Sequence, residues 1–228
     1  MTRLAVLASL FCAAALAACD QPAPRRPPPP RETAAEAPAG PARERADPVA
    51  WNGETGAFEM GGKPLATLRA WTFDGSSDGF TLAGGEAALA DPRGLRLTNV
   101  AADPALRTPS GLDVDGARYP LVIVRLTRLR AGGVWDGSLH YTTAAHGEAE
   151  TFSARPIQGA DPAVNETTTM VYDLSQAAAA EDWAGARIDQ IRIDTDDLAG
   201  GAFVVREVAV AAKPAGMGTA VTGVTPGS

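Results

Sequence analysis

The chain has 228 residues, 45% of them hydrophobic and 21% charged, and a formal net charge of −7. Those proportions suit a folded soluble domain and exclude a wholly disordered chain. No basic stripe runs through the sequence, which argues against nucleic acid or anionic lipid headgroups as partners.

The averages hide three unlike regions. Arg3 supplies a positive start, and residues 4–16 form an apolar run too short to span a bilayer comfortably. Residues 1–18 therefore read as a secretory signal. The run closes in Leu16-Ala17-Ala18-Cys19, which resembles the lipobox of bacterial lipoproteins. The resemblance implies cleavage before Cys19 and acylation of its thiol and amine, and several acyl chains give stable anchoring to a membrane. Asp20 resembles the inner-membrane retention signal of enteric bacteria, so the expected location is a cell membrane, with the domain facing the periplasm. Cys12 falls within the signal. The mature domain then has no thiol for a disulfide, a metal or a nucleophile, and its stability must come from a core.

Residues 19–47 read as a disordered tether. They hold Pro27-Pro28-Pro29-Pro30, further prolines at 22, 24, 38 and 41, and no large apolar side chain, and five arginines balance five acids. Residues 214–228, mostly Gly, Thr, Ala and Pro, read as a disordered tail. One domain is expected between them, over residues 48–213, and it carries the acidity.

Within that domain, short strand signals follow one another, each bounded by Gly, Pro, Asp or Asn. Residues 71–73 and 80–82 flank a Gly- and Asp-rich loop, and Leu95 and Leu97 share one side of 94–98. Residues 111–114 stop at Asp115-Gly116. The longest signal covers residues 119–129: Val122, Val124 and Leu126 point one way, and Ile123, Arg125 and Thr127 the other. This predicts a central strand with one face in a core and the other in a shallow, partly wet groove. Leu139 and Tyr141 alternate with Ser138 and His140, and residues 151–154 suit a hairpin partner across a turn containing Gly147. Residues 167–173, 187–194 and 202–210 complete the set. A parity shift at Arg206-Glu207 predicts a β-bulge. Only residues 175–183 have helical composition, with Ser175 as the N-cap. Many short strands and almost no helix indicate an all-β fold, a two-sheet antiparallel β-sandwich or jelly roll.

The order of several fragments resembles galactose-binding-like jelly rolls, the architecture of many carbohydrate-binding modules. The fragments are Trp71-Thr72-Phe73, Gly94-Leu95-Arg96-Leu97, Asp103 to Pro109, Tyr119 to Arg125, Val171-Tyr172-Asp173-Leu174, Trp183-Ala184-Gly185, Ile191 to Asp194 and Phe203 to Val210. The resemblance implies two antiparallel sheets, a concave face, often one structural calcium, and in many members glycan binding. Fold alone does not settle function.

Alternation places Arg125, His140 and Arg192 outward, and the three are expected on one sheet face. Their donors suit sugar hydroxyls or carboxylates, and Trp135 in the Gly-rich loop 132–137 is the expected stacking platform. The plainer reading is arginines paired to local acids and a Trp closing the core. Asp113 and Asp115, and Asp194, Asp196 and Asp197, offer oxygens to a calcium ion or form ordinary turns. His140 and His146 lack a third metal ligand of obvious spacing, and Ser110 and Ser138 lack a nucleophile-elbow frame. The sequence thus points to a non-catalytic lipoprotein that binds a cell-envelope glycan. A lipoprotein docking an envelope protein through a sheet face is the alternative, and a hydrolase the distant third.

Overall fold

β-Branched and apolar residues dominate the longest strands, and their pairing sets the architecture. The computed structural model describes residues 41–90, 92–157, 161–215 and 217. The expected signal, Cys19, most of the tether and most of the tail lie outside the described residues.

In chain order the strands are β1 (Arg43–Glu44), β2 (Val49–Asn52), β3 (Ala57–Met60), β4 (Lys63–Pro64), β5 (Thr67–Trp71), β6 (Thr81–Ala83), β7 (Gly85–Leu89) and β8 (Leu95–Asn99). There follow β9 (Ala105–Arg107), β10 (Val114–Asp115), β11 (Leu121–Arg130), β12 (Leu139–Thr143), β13 (Ser153–Ala154), β14 (Glu166–Asp173), β15 (Arg187–Asp194) and β16 (Ala202–Ala211). A seven-stranded sheet runs β1-β14-β11-β16-β8-β7, with β5 also pairing β16. A six-stranded sheet runs β13-β12-β15-β9-β6, with β10 beside β15, and β2-β3-β4 form a small third sheet. Apart from the parallel β1–β14 pair, these strands pair antiparallel. The fold is an antiparallel β-sandwich.

β11 is the hub of this arrangement. Val124 lies opposite Met170 on β14 and Val208 on β16, so one apolar row crosses three strands. Val122, Val124 and Leu126 join Leu95, Leu97, Tyr172 and Phe203 from the same sheet. Against them, from the six-stranded sheet, pack Leu106, Leu139, Tyr141, Ile191 and Ile193. The predicted bulge is present: Arg125 pairs with Glu207 and Leu126 with Val205, which leaves Arg206 as the extra residue. The predicted hairpin is present too, with Leu139 opposite Ala154.

The second face of β11 is not a groove. Leu121 and Ile123 pack with Val171, Ala209 and Ala211 against Val49, Phe58 and Leu65 of the small sheet region. The pairs Val49/Trp51 and Phe58/Met60 alternate in sequence, and their strands precede the first one the sequence predicts, at residue 71. Beyond this apolar cover the face is ionic. Arg43 and Arg45 hold the two oxygens of Glu166 at 2.9 and 2.7 Å. Asp47 accepts from the Thr168 hydroxyl and the Thr169 amide. The Arg45 guanidinium is the main reason the Glu166 carboxyl is pushed down to about 2. Residues 43–47, expected in the tether, are thus docked on the sheet.

The Gly- and Asp-rich loop crosses between sheets, because β5 lies in the seven-stranded sheet and β6 in the six-stranded one. One further expectation needs correction. The expected helix over 175–183 is divided into a 3-10 turn, Leu174–Gln176, and a short α-helix α1, Ala180–Gly185. Asp173, rather than Ser175, caps the first turn: its carboxylate accepts from the Ser175 amide and hydroxyl.

Phe58 is 1% exposed, so Phe58→Ala should remove a large buried ring and leave a cavity, lowering stability by about 3–5 kcal/mol in chemical denaturation. A loss below about 1 kcal/mol would show that the small sheet contributes no core to the sandwich.

Candidate functional site

The four expected site residues do not converge. Arg125 lies on β11 in the seven-stranded sheet, whereas His140 on β12 and Arg192 on β15 lie in the six-stranded sheet. Alternation assigned each residue outward from its own strand, but the outward sides of two packed sheets face opposite directions. Arg125 is engaged by protein acids, with Glu207 at 2.8 Å and Glu44 at 2.9 Å.

Trp135 is not an exposed platform. It is 9% exposed, its ring centroid lies 5.8 Å from that of Phe203, and the Arg128 guanidinium sits 5.6 Å from it. Acids pin its loop to the 194–197 region. Asp196 accepts from the Gly132 amide, Asp197 from the Val134 amide, and the Trp135 backbone bridges to Asp196. The ring consequently turns inward. The acids named as candidate calcium ligands are engaged by protein groups. Asp113 and Asp115 hold Arg187, Asp196 holds Arg128, and Asp197 holds a backbone amide. Among the described residues no group of three or more His, Asp or Glu side chains is placed to hold a metal.

His140 and Arg192 do come together. They are direct cross-strand neighbours in the β12–β15 ladder, with Leu139 and Tyr141 on one strand and Ile191 and Ile193 on the other buried beneath them. Above the ladder is a polar depression of about 260 Å³, walled by Ser138, His140, Arg192 and Asp194 and rimmed by Asp103, Asp136, Glu148 and Glu150. Arg192 donates Nε to Asp194 at 2.6 Å and Nη2 to Asp103 at 2.8 Å, and reaches Glu148 at 3.3 Å. Glu148 is also gripped by Arg107 from β9, at 2.6 and 2.7 Å. Arg107 is the leading reason the Glu148 carboxyl lies below its usual range. The result is a rigid, charged floor on regular strands.

His140 is 7% exposed. Its Nε2 lies 3.3 Å from Ser138 Oγ and 3.4 Å from Asp194 Oδ2, and Nδ1 faces the Ala149 carbonyl at 3.4 Å. Asp194 is the main cause that raises the His140 pKa above its ordinary value, outweighing the downward pull of burial. The trio Ser138, His140 and Asp194 does not make a hydrolytic relay. Ser138 gives its proton to Asp136 at 2.5 Å, and the carboxylate of Asp194 faces the same imidazole nitrogen as the serine rather than the opposite one. His146 is elsewhere: it stacks on Phe152 and meets Asp182 at 2.9 Å.

Of the residues not foreseen, Ser138 shares the outward parity of His140, and Asp194 stood among the acids noted in sequence. Glu148 and Asp103 come from loops, and no local signal marks them. No protein-family profile and no curated protein matches the chain. Among solved structures it is similar to the C-terminal family 22 carbohydrate-binding module of Clostridium thermocellum Xyn10B, at 17% identity and a TM-score of 0.47, over 64% of this chain and 93% of that one. It is also similar to the xylan-binding module CBM86 of Roseburia intestinalis, at 15% and 0.41 over 64% and 95%. A family 29 module from Piromyces equi gives 13% and 0.42 over 60% and 83%. All three TM-scores lie below 0.5, so what these modules bind is a statement about them alone.

Because its folded pKa is raised, His140 stabilises the fold fully below its unfolded value of about 6.5, and that contribution is lost as pH rises through the folded value. Denaturation at stepped pH should show this decline, and Asp194→Asn should flatten it while NMR titration of the ring moves down. A wild-type ring that titrates at or below about 6.5 would contradict the assignment.

Proposed function

We propose that this chain is a membrane-anchored, periplasm-facing lipoprotein whose β-sandwich binds a cell-envelope carbohydrate, without catalysis, in the depression around His140 and Arg192. The observation that carries the reading is the depression itself. Cross-strand pairing fixes an imidazole, a guanidinium, a hydroxyl and several carboxylates around one small volume. Sugar hydroxyls both donate and accept, so a rigid wall of mixed donors and acceptors suits them. The volume is about 260 Å³, slightly below the usual range for drug-sized ligands of about 300–1,000 Å³, and favours one sugar residue over a long chain segment. The absence of a relay geometry at Ser138 favours binding over turnover.

Docking of an envelope protein through a sheet face is less favoured. The outer face of the seven-stranded sheet is already covered by β2–β4 over Ile123 and Val171, and by Glu44 over Arg125. Anchoring rests on Leu16-Ala17-Ala18-Cys19 in the sequence.

Calorimetric titration against an envelope-glycan panel should find a binder. His140→Gln should weaken it by at least about tenfold, and Arg125→Gln, on the opposite sheet, should leave it unchanged. Silence across the panel, or equal loss in both variants, would remove this reading. Anchoring has a separate readout: in detergent phase partition the full chain should enter the detergent phase and Cys19→Ala the aqueous one. A Cys19→Ala chain that still partitions with detergent would exclude lipidation at this residue.

A further inference from the structure

We propose that the end of the sandwich bearing Val100, Val134, Val164 and Leu198 rests in the interfacial layer of a lipid bilayer, as a second contact beside the anchor. The proposal takes its direction from the anchoring read at Leu16-Ala17-Ala18-Cys19 and does not depend on the carbohydrate reading.

Strand direction brings the four residues to one end. β11 finishes there, at Arg130 opposite Ala202, and leads into the loop of Val134. β8 finishes beside it, with Thr98 opposite the same Ala202, and Val100 follows. Val164 stands just before β14, whose first residue, Glu166, lies opposite Arg128. Leu198 is in the loop between β15 and β16. Backbone bonds tie these loops together. The Asp197 amide donates to the Val134 carbonyl at 3.0 Å, the Gly200 amide to the Asn99 carbonyl at 2.8 Å, and the Asn165 amide to the Arg128 carbonyl at 2.7 Å. The end is therefore a preformed surface.

Among the described residues, seven large apolar side chains are exposed, and four of them are these, at 53–70%. Their neighbours are short: Ala101 and Ala102, Gly132 and Gly133, Ala199 and Gly200. The branched side chains consequently stand clear of anything that could shield them. Single exposed apolar residues are ordinary, but one on each of four loops at the same end is a patch that calls for an occupant.

The path of the chain identifies that occupant. β1 runs parallel to β14, so the chain reaches Arg43 from this same end, and the residues before it lead back to Cys19. An anchored domain presents this end to its membrane. A stable protein partner needs about 800 Å² of matched surface on each side, whereas these tips are separate and share the end with Asp103, Asp197 and Arg130. The mixed charges make hydrocarbon insertion, rather than attraction to anionic headgroups, the source of binding. Asp103 and Asp136 belong to the Val100 and Val134 loops and also rim the His140 depression. The same contact therefore holds the depression beside the headgroup layer.

The test uses the full chain reconstituted in phosphatidylcholine vesicles, with an environment-sensitive fluorophore on Val134→Cys, Leu198→Cys or, at the opposite end before β11, Ala117→Cys. All three positions are exposed, so each variant should keep the wild-type melting temperature. Nitroxide-bearing lipid should quench the first two probes at least about threefold more than the third, and their emission should shift to the blue. Adding phosphatidylglycerol should change neither. Equal quenching at all three positions would overturn the proposal. A response seen only in native envelope membranes, and not in pure lipid, would assign the loops to a protein and overturn it as well. The anchoring reading has its own control: wild-type chain should take no fluorophore, because the Cys19 thiol is acylated. If Cys19 does label, anchoring fails, and the loop contact is judged by sedimentation of the chain with the same vesicles. Val134→Asp should then reduce sedimentation at least about threefold, and an unchanged value would overturn the contact.

Discussion

Burial of β11 on both faces is the constraint from which the rest of the structure follows. A strand with Val122, Val124 and Leu126 on one side and Leu121 and Ile123 on the other cannot be satisfied by a single opposing sheet. One row is closed by the six-stranded sheet. The other needs its own cover, and the chain supplies it from residues just before the sandwich: Val49, Phe58 and Leu65 over the apolar part, and Glu44 over Arg125 where the row becomes charged. Without this outer layer, Leu121, Ile123 and Val171 would face water. Burying a side chain of that size is worth about 1.5–3 kcal/mol.

That solution also decides which sheet face carries the open depression. The outer side of the seven-stranded sheet is spent on its own cover, so its cation, Arg125, is structural. Among the described residues, the outer side of the six-stranded sheet has no apolar sheet laid over β12 and β15. Its short strands leave loops at their ends, and these loops bring Asp103, Asp136, Glu148 and Glu150 to the rim of one depression. Charges there pair mostly with one another. Arg192 alone meets three acids, which holds it in one rotamer and makes the floor rigid.

Much of the fold was legible in the sequence, for definite physical reasons. Two-residue alternation is a local property, so the inward positions of β11, β12 and β15 could be read directly, as could the slip at Arg206. Which sheet a strand joins is a non-local property. Alternation could therefore not reveal that Arg125 and His140 face opposite ways, or that residues 71–82 cross between sheets. The site was half legible on the same grounds: His140 and Arg192 follow from strand parity, while Glu148 and Asp103 are placed by loops whose conformation no short pattern encodes. Trp135 illustrates the remaining gap. A Trp amid glycines looks exposed, but Asp196 and Asp197, more than sixty residues away, anchor the surrounding amides and fold the ring into the core.

The way the chain enters the domain has a mechanical side. Residues 43–47 grip the sheet through Glu166, Arg125 and the Thr168–Thr169 segment, contacts made of charge and hydrogen bonds rather than packed hydrocarbon. A pull arriving from the N-terminal direction loads this clasp, with the short edge strand β1 in it, before it reaches β2 or β14. The apolar cover over Leu121 and Ile123 comes from Val49, Phe58 and Leu65, so the clasp and the cover are separate layers, one ionic and one hydrocarbon.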